Sequence, residues 1–99
     1  MITLIREVCA MPGRTAAARA WAQEITAYLK DAHHLDLEVV LPLGGNPQRV
    51  AWCGRYKDFA AYESAMRKML GDKRFSELNE KTAQLWVPGS MQDHVWVSA

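Results

Sequence analysis

Cysteine is scarce in this chain: Cys9 and Cys53 are the only two, and neither has a second Cys or His nearby at metal-ligand spacing. That excludes a disulfide scaffold and a structural zinc module, and each thiol lies inside an apolar run, where a buried, reduced side chain is expected. Charge of one sign is also missing, since 12 Lys and Arg stand against 11 Asp and Glu and the two signs are interspersed. Without a basic patch, nucleic acid and anionic membrane surfaces are not expected partners. No stretch approaches the roughly 20 apolar residues of a membrane span. The chain opens on a strand-like pattern instead of a charged-then-apolar leader, so a cytoplasmic location is expected. A Gly-rich phosphate loop, a nucleophile elbow, a Cys/His dyad and paired metal ligands are all lacking, which leaves no cofactor or metal to expect.

What is present is ordinary globular composition, 49% hydrophobic and 23% charged over 99 residues. That length suits one domain, 1–99, with one core, so a second layer of burial has to come from another chain. Ile2 to Met11 is rich in β-branched and apolar residues and is stopped by Pro12-Gly13, which gives a first strand. From Arg14 to His33 the residues Ala17, Trp21, Ile25, Tyr28, Leu29 and Ala32 recur at helical period, the mark of an amphipathic helix. Leu37, Val39, Leu41 and Leu43 then alternate as a half-buried strand does, and Gly44-Gly45-Asn46-Pro47 turns the chain into a third strand from Arg49 to Tyr56.

Asp58 is placed to cap a helix whose face carries Phe59, Tyr62, Met66, Met69 and Leu70. Gly71-Asp72 interrupts it with a C-cap and a fresh N-cap, and Phe75, Leu78, Asn79, Thr82 and Leu85 continue a second stripe. After Pro88-Gly89, Met91 to Val97 supplies the last strand. The order strand, helix, strand, strand, helix, strand folds, through right-handed crossovers, into an α+β unit of ferredoxin-like topology. Its four-stranded antiparallel sheet has both helical regions on one face. The other face is left bare, and a face-to-face homodimer is the economical way to cover it.

In that order the chain resembles the dimeric α+β barrel superfamily, and within it the NIPSNAP-like and antibiotic-biosynthesis-monooxygenase-like domains. The resemblance rests on the strand closed by Met11-Pro12-Gly13, the long first helix and the stretch from Arg49 to Phe59. The broken helix, restarting at Asp72-Lys73-Arg74-Phe75, and the short final strand complete it. It covers nearly the whole chain and implies a homodimer with a cavity between sheet and helices or at the sheet interface. Activities in the superfamily range from cofactor-independent oxygenases to haem-degrading enzymes. The haem-degrading pattern needs an Asn in the first strand and a His in the second half of the broken helix, and this chain has neither.

Six residues are candidates for chemistry. His94 alternates with Val95 and Val97, so it points away from the helices, where it can serve as a general base; a plain surface or interface histidine is the competing reading. Glu38, between Leu37 and Val39, shares that face and makes a candidate acid/base pair with His94. Trp52, Tyr56 and Trp96 suit the walls of a site for a flat aromatic ligand, with core or interface packing as the alternative. Arg6 is a charge inside a strand, which calls for either a cross-strand ion pair or a substrate group. Trp21, Met66 and Met69 read as helix-face packing, and His33 and His34 as structural groups at a helix end. The expectation is a homodimer that binds an apolar, aromatic small molecule, with monooxygenase-like chemistry as its enzymatic form. The rival is a non-enzymatic dimerisation or stress-associated module in which the same aromatics merely pack.

Overall fold

A computed structural model describes residues 1–99. In chain order it contains β1 (Ile2–Cys9), α1 (Thr15–His33), β2 (Leu37–Val40), β3 (Arg49–Tyr56), α2 (Phe59–Leu70), α3 (Lys73–Glu80) and β4 (Gln92–Val97). The strands form one sheet in the order β2-β3-β1-β4 with every neighbouring pair antiparallel, so β1 and β3 are central and the architecture is the α+β ferredoxin-like one. No helix is long and apolar enough to cross a membrane.

Strand side chains alternate between faces, and here the even-numbered residues of the central strands meet the helices. Ile2, Leu4 and Val8 of β1 and Val50 and Trp52 of β3 are buried there. The α1 helix answers with Ala18, Ala22, Ile25 and Leu29. This face is centred one residue further on than the sequence pattern suggests, because two alanines with no exposed surface let the helix backbone close on the sheet, while Ala17 and Ala32 lie outside. Phe59 and Leu70, assigned to the apolar stripe of α2, are likewise exposed; Ala65 and Met69 carry its burial.

β2 is shorter than its alternation implies. Pairing stops at Val40 opposite Ala51, since Pro42 has no N–H to give to the ladder, and Leu41 and Leu43 are exposed in the loop that follows. The helix ends are built as the sequence indicates. Asp58 accepts from the Ala61 amide at 2.9 Å and Asp72 from the Arg74 and Phe75 amides at 2.8 and 3.1 Å. α1 ends on His34 in the left-handed region, φ 56°, with the His34 and Leu35 amides bonded back to the Lys30 and Leu29 carbonyls. Its neighbour His33 and Tyr28 both reach Asp72, at 2.6 and 2.7 Å, which ties the end of α1 to the junction of α2 and α3.

The odd-numbered residues of β1 and β3 have no helix over them. Ile5, Cys9, Ala51 and Cys53 lie half-buried on that face, with Val40 of β2 beside them. β4 is exposed along its whole length, Val95, Trp96 and Val97 included. The two thiols are free and half-buried, not buried as expected. Cys53 stands opposite Ile5, four residues along β1 from Cys9, which separates the two by about 13 Å and excludes a bond between them within one chain.

Candidate functional site

Between the sheet and the helices is a cavity of about 110 Å³. Its floor is laid by the two central strands: Leu4 and Arg6 from β1, and Trp52, Gly54 and Tyr56 from β3. The helices and the segment after α3 supply the remaining walls, among them Trp21, Met66, Phe75 and Trp86. It reaches the surface beside Met91 and Asn79, both exposed.

Three indoles form one wall. Trp21, Trp52 and Trp86 meet one another edge to face, with ring centroids 6.0 to 6.3 Å apart. Such contacts add to the burial of each ring and hold its orientation. Trp52 is fixed further by its N–H, which donates to Thr26 Oγ1 at 3.1 Å, and Trp21 by donation to the Leu78 carbonyl at 3.2 Å. Trp86 is set in place by a β-bridge between its own residue and Ala10, just beyond β1.

The polar groups converge from β1 and β3. Gly54 carries no side chain, and that vacancy is occupied: a Cβ there would lie 2.7 Å from Leu37 Cδ2 and 3.0 Å from the Tyr56 hydroxyl. Tyr56 therefore leans back along its own strand over Gly54, toward the rung where Trp52 faces Arg6. Its hydroxyl is buried and has no hydrogen-bond partner. Burial, with Tyr62 adding to it, raises the Tyr56 pKa above the ordinary phenol value, although the Arg6 charge works against the shift.

Arg6 is opposite Asp93 of β4, and its Nε and Nη2 donate to the two carboxylate oxygens at 2.7 and 2.8 Å. This two-pronged contact raises the Arg6 pKa and lowers that of Asp93, each chiefly through the hydrogen bonds to the other. The result is a cation held in place, its charge already matched, at the edge of an apolar cavity.

The six candidates thus divide between the two faces of the sheet. Arg6, Trp52 and Tyr56 come together in the cavity. Glu38, His94 and Trp96 occupy the uncovered face. Glu38 and His94 fall on one rung, Glu38–Cys53–Ile5–His94, but at its opposite ends. Three strand spacings, about 14 Å, part them, so they form no acid/base pair within the chain. The carboxylate near His94 is that of Glu7, 3.6 Å away, and Glu7 also faces Arg49 at 3.4 Å. Trp96 stands beside Thr3 with most of its surface exposed, outside the cavity. The cavity also uses residues that the pattern assigned to packing or passed over. Trp21 and Met66 are wall as well as core, and Trp86 carries no local signal, because a single indole before a Pro-Gly turn has no periodicity to reveal its direction.

No family model and no curated protein matches this chain. Solved structures do. An uncharacterized NIPSNAP-domain protein from Burkholderia xenovorans superimposes with a TM-score of 0.83 at 12% identity, over 100% of this chain and 95% of its own. A NIPSNAP family protein from Agrobacterium tumefaciens gives 0.76 at 14%, over 99% and 92%. The chain has the NIPSNAP-like fold. The same fold extends to a candidate antibiotic biosynthesis monooxygenase from Deinococcus radiodurans, with a TM-score of 0.74 at 12% identity over 100% and 93% of the two chains. At such identities the NIPSNAP-like likeness is one of backbone, so the side chains of the cavity have to be read on their own terms.

Proposed function

We propose that this protein is a homodimer of a cytoplasmic compartment whose subunits each bind an apolar, aromatic small molecule in the cavity between sheet and helices. The observation that carries the reading is the composition of that cavity: a wall of three indoles with a buried, unpartnered phenol hydroxyl and a fixed guanidinium at its polar end. An apolar wall with one or two converging polar groups is the usual make-up of a small-molecule site. A protein built only to dimerise gains nothing from leaving a hydroxyl buried without a partner, because that costs free energy.

Dimerisation is supported by β4. Trp96 is exposed on the uncovered face, beside the rung of Ile5 and Cys53, and makes with them an apolar patch with no cover in the monomer, while Val95 and Val97 are exposed on the opposite side of the same strand. A second copy seated on the uncovered face by a two-fold axis would cover Trp96 and Ile5 together. The fold shared with a candidate monooxygenase makes oxygenation of the bound compound the enzymatic form of this reading.

Indole N–H resonances test it, because three of the four tryptophans line the cavity and Trp96 does not. Titration with small aromatic compounds is expected to move three resonances saturably and to leave the fourth in place. A Met66→Phe variant, which narrows the cavity, is expected to weaken the shifts. Measuring dissolved oxygen in the same titration separates binding from oxygenation. If no aromatic compound moves the three resonances, the cavity is packing space and the dimerisation module is the better reading.

A further inference from the structure

Within that reading, we infer that the cavity selects an uncharged, single-ring aromatic compound bearing a carbonyl oxygen, which receives the hydrogen bond of the Tyr56 hydroxyl beside the Arg6–Asp93 pair. The inference rests on the proposed ligand site and adds three restrictions: size, charge and hydrogen-bond sense.

Size comes first. The volume is about 110 Å³, of the same order as the roughly 150 Å³ engineered cavity that holds one benzene molecule. One ring fits against the three indoles, and a fused system would have to extend out past Met91 and Asn79.

Charge comes second. Arg6 gives two of its nitrogens to Asp93, so the cation at the polar end is neutralised before any ligand arrives. A carboxylate ligand would bring a second anion beside Asp93 into apolar surroundings, and its desolvation would not be repaid. The other titratable groups near this end are Tyr56, with Tyr62 behind it at a ring distance of 5.5 Å, and His94, which acts on Asp93 from the opposite face of the sheet, where Glu7 lies 3.6 Å from it.

Hydrogen-bond sense comes third. Burial raises the Tyr56 pKa, so the hydroxyl keeps its proton at neutral pH and acts as a donor. It has no acceptor in the protein. Arg6 Nη1 likewise makes no hydrogen bond within the chain, Nε and Nη2 being those that bind Asp93. Arg6 Nη1 can only donate and the Tyr56 hydroxyl can donate, so a single acceptor atom on the ligand satisfies both. A carbonyl oxygen has two lone pairs and no charge, and meets the requirement.

The test is calorimetric titration of the full chain with three compounds of matched shape: acetophenone, its carboxylate counterpart benzoate, and isopropylbenzene, which has no acceptor. Acetophenone is expected to bind more tightly than benzoate. Tyr56→Phe is expected to weaken acetophenone about five- to ten-fold, the worth of one hydrogen bond, and to leave isopropylbenzene unchanged. Asp93→Asn, which frees the Arg6 charge, is expected to improve benzoate relative to acetophenone. Equal losses for acetophenone and isopropylbenzene in Tyr56→Phe would overturn the hydrogen-bond assignment, and tighter binding of benzoate than acetophenone by the unaltered protein would overturn the charge argument. If none of the three compounds binds, it is the ligand site itself that fails, so the two conclusions are tested apart.

Discussion

Tyr56 lies over Gly54, its hydroxyl 3.0 Å from where a side chain on that glycine would begin. The glycine therefore acts through the tyrosine. Adding a methyl group in Gly54→Ala presses on Leu37 Cδ2, the free end of a flexible side chain, and on the edge of a rigid ring that has no such freedom. Leu37 gives way and Tyr56 is pushed off its rung. Overpacking of this kind costs about 1 to 3 kcal/mol. The expected outcome is a loss near the low end of that range in urea denaturation, together with a loss of ligand binding out of proportion to it.

The tyrosine itself should show the opposite balance. Its hydroxyl is buried with no partner, and an unsatisfied buried polar group costs about 1 to 3 kcal/mol. Tyr56→Phe removes that cost while keeping the ring and its edge-to-face contact with Tyr62. The variant is expected to be more stable than the parent by about 1 kcal/mol, read from the denaturation midpoint at unchanged slope. A less stable variant would mean that the hydroxyl already has a partner in the free protein.

These two residues also mark where the sequence was informative and where it fell short. The period of two in β1 and β3 put the strands in place, and the acidic residues at Asp58 and Asp72 gave the helix starts to the residue, because a cap is a local contact between a side chain and the next turn. Trp52 and Tyr56 were legible as aromatic side chains of one strand face, but which face borders the cavity was not, and Trp96, grouped with them in the sequence, lies on the other side of the sheet. The pairing of Glu38 with His94 was not legible. Alternation correctly gave them one face, but lateral separation depends on strand order and register, and those placed two strands between them. Arg6 was legible only as a charge in need of a partner, because the register that brings Asp93 to it spans 87 residues of chain.

Asp72 makes the fold sensitive to acid. Hydrogen bonds from Tyr28 and then His33, with the Phe75 and Arg74 amides, lower its pKa to about 2. An unfolded aspartate titrates near 3.9. The folded state therefore favours the ionised form, and the stabilisation is complete above about pH 4 and lost as pH falls through about 2. Asp72→Asn keeps a side-chain oxygen for the helix cap but cannot ionise. It is expected to be less stable than the parent at neutral pH, and the gap should close as denaturation is repeated at falling pH between about 4 and 2. A gap independent of pH in that window would show that the charge contributes nothing and that only shape was lost.

The uncovered side of the sheet gives the last prediction. Trp96 stands beside Thr3 with 64% of its surface exposed, next to the rung that holds Ile5, and Glu7 between Arg49 and His94 forms a polar border to this apolar patch. An apolar centre with a charged border is the anatomy of a protein interface. Because a two-fold axis brings every residue of such an interface into play twice, one substitution is felt at two places. Trp96→Glu is expected to weaken self-association by more than about 30-fold, the effect of losing a contact worth 2 kcal/mol or more. Sedimentation velocity at micromolar concentration reads the change directly. The chain's own core should be untouched, since Trp96 points away from the cavity and touches no helix, so circular dichroism of the variant at high dilution should match that of the dissociated parent. If the parent sediments as a single chain at the highest concentration it will tolerate, the exposed β4 is simply an edge, and the dimer reading falls while the ligand cavity, lined by residues of one chain, does not.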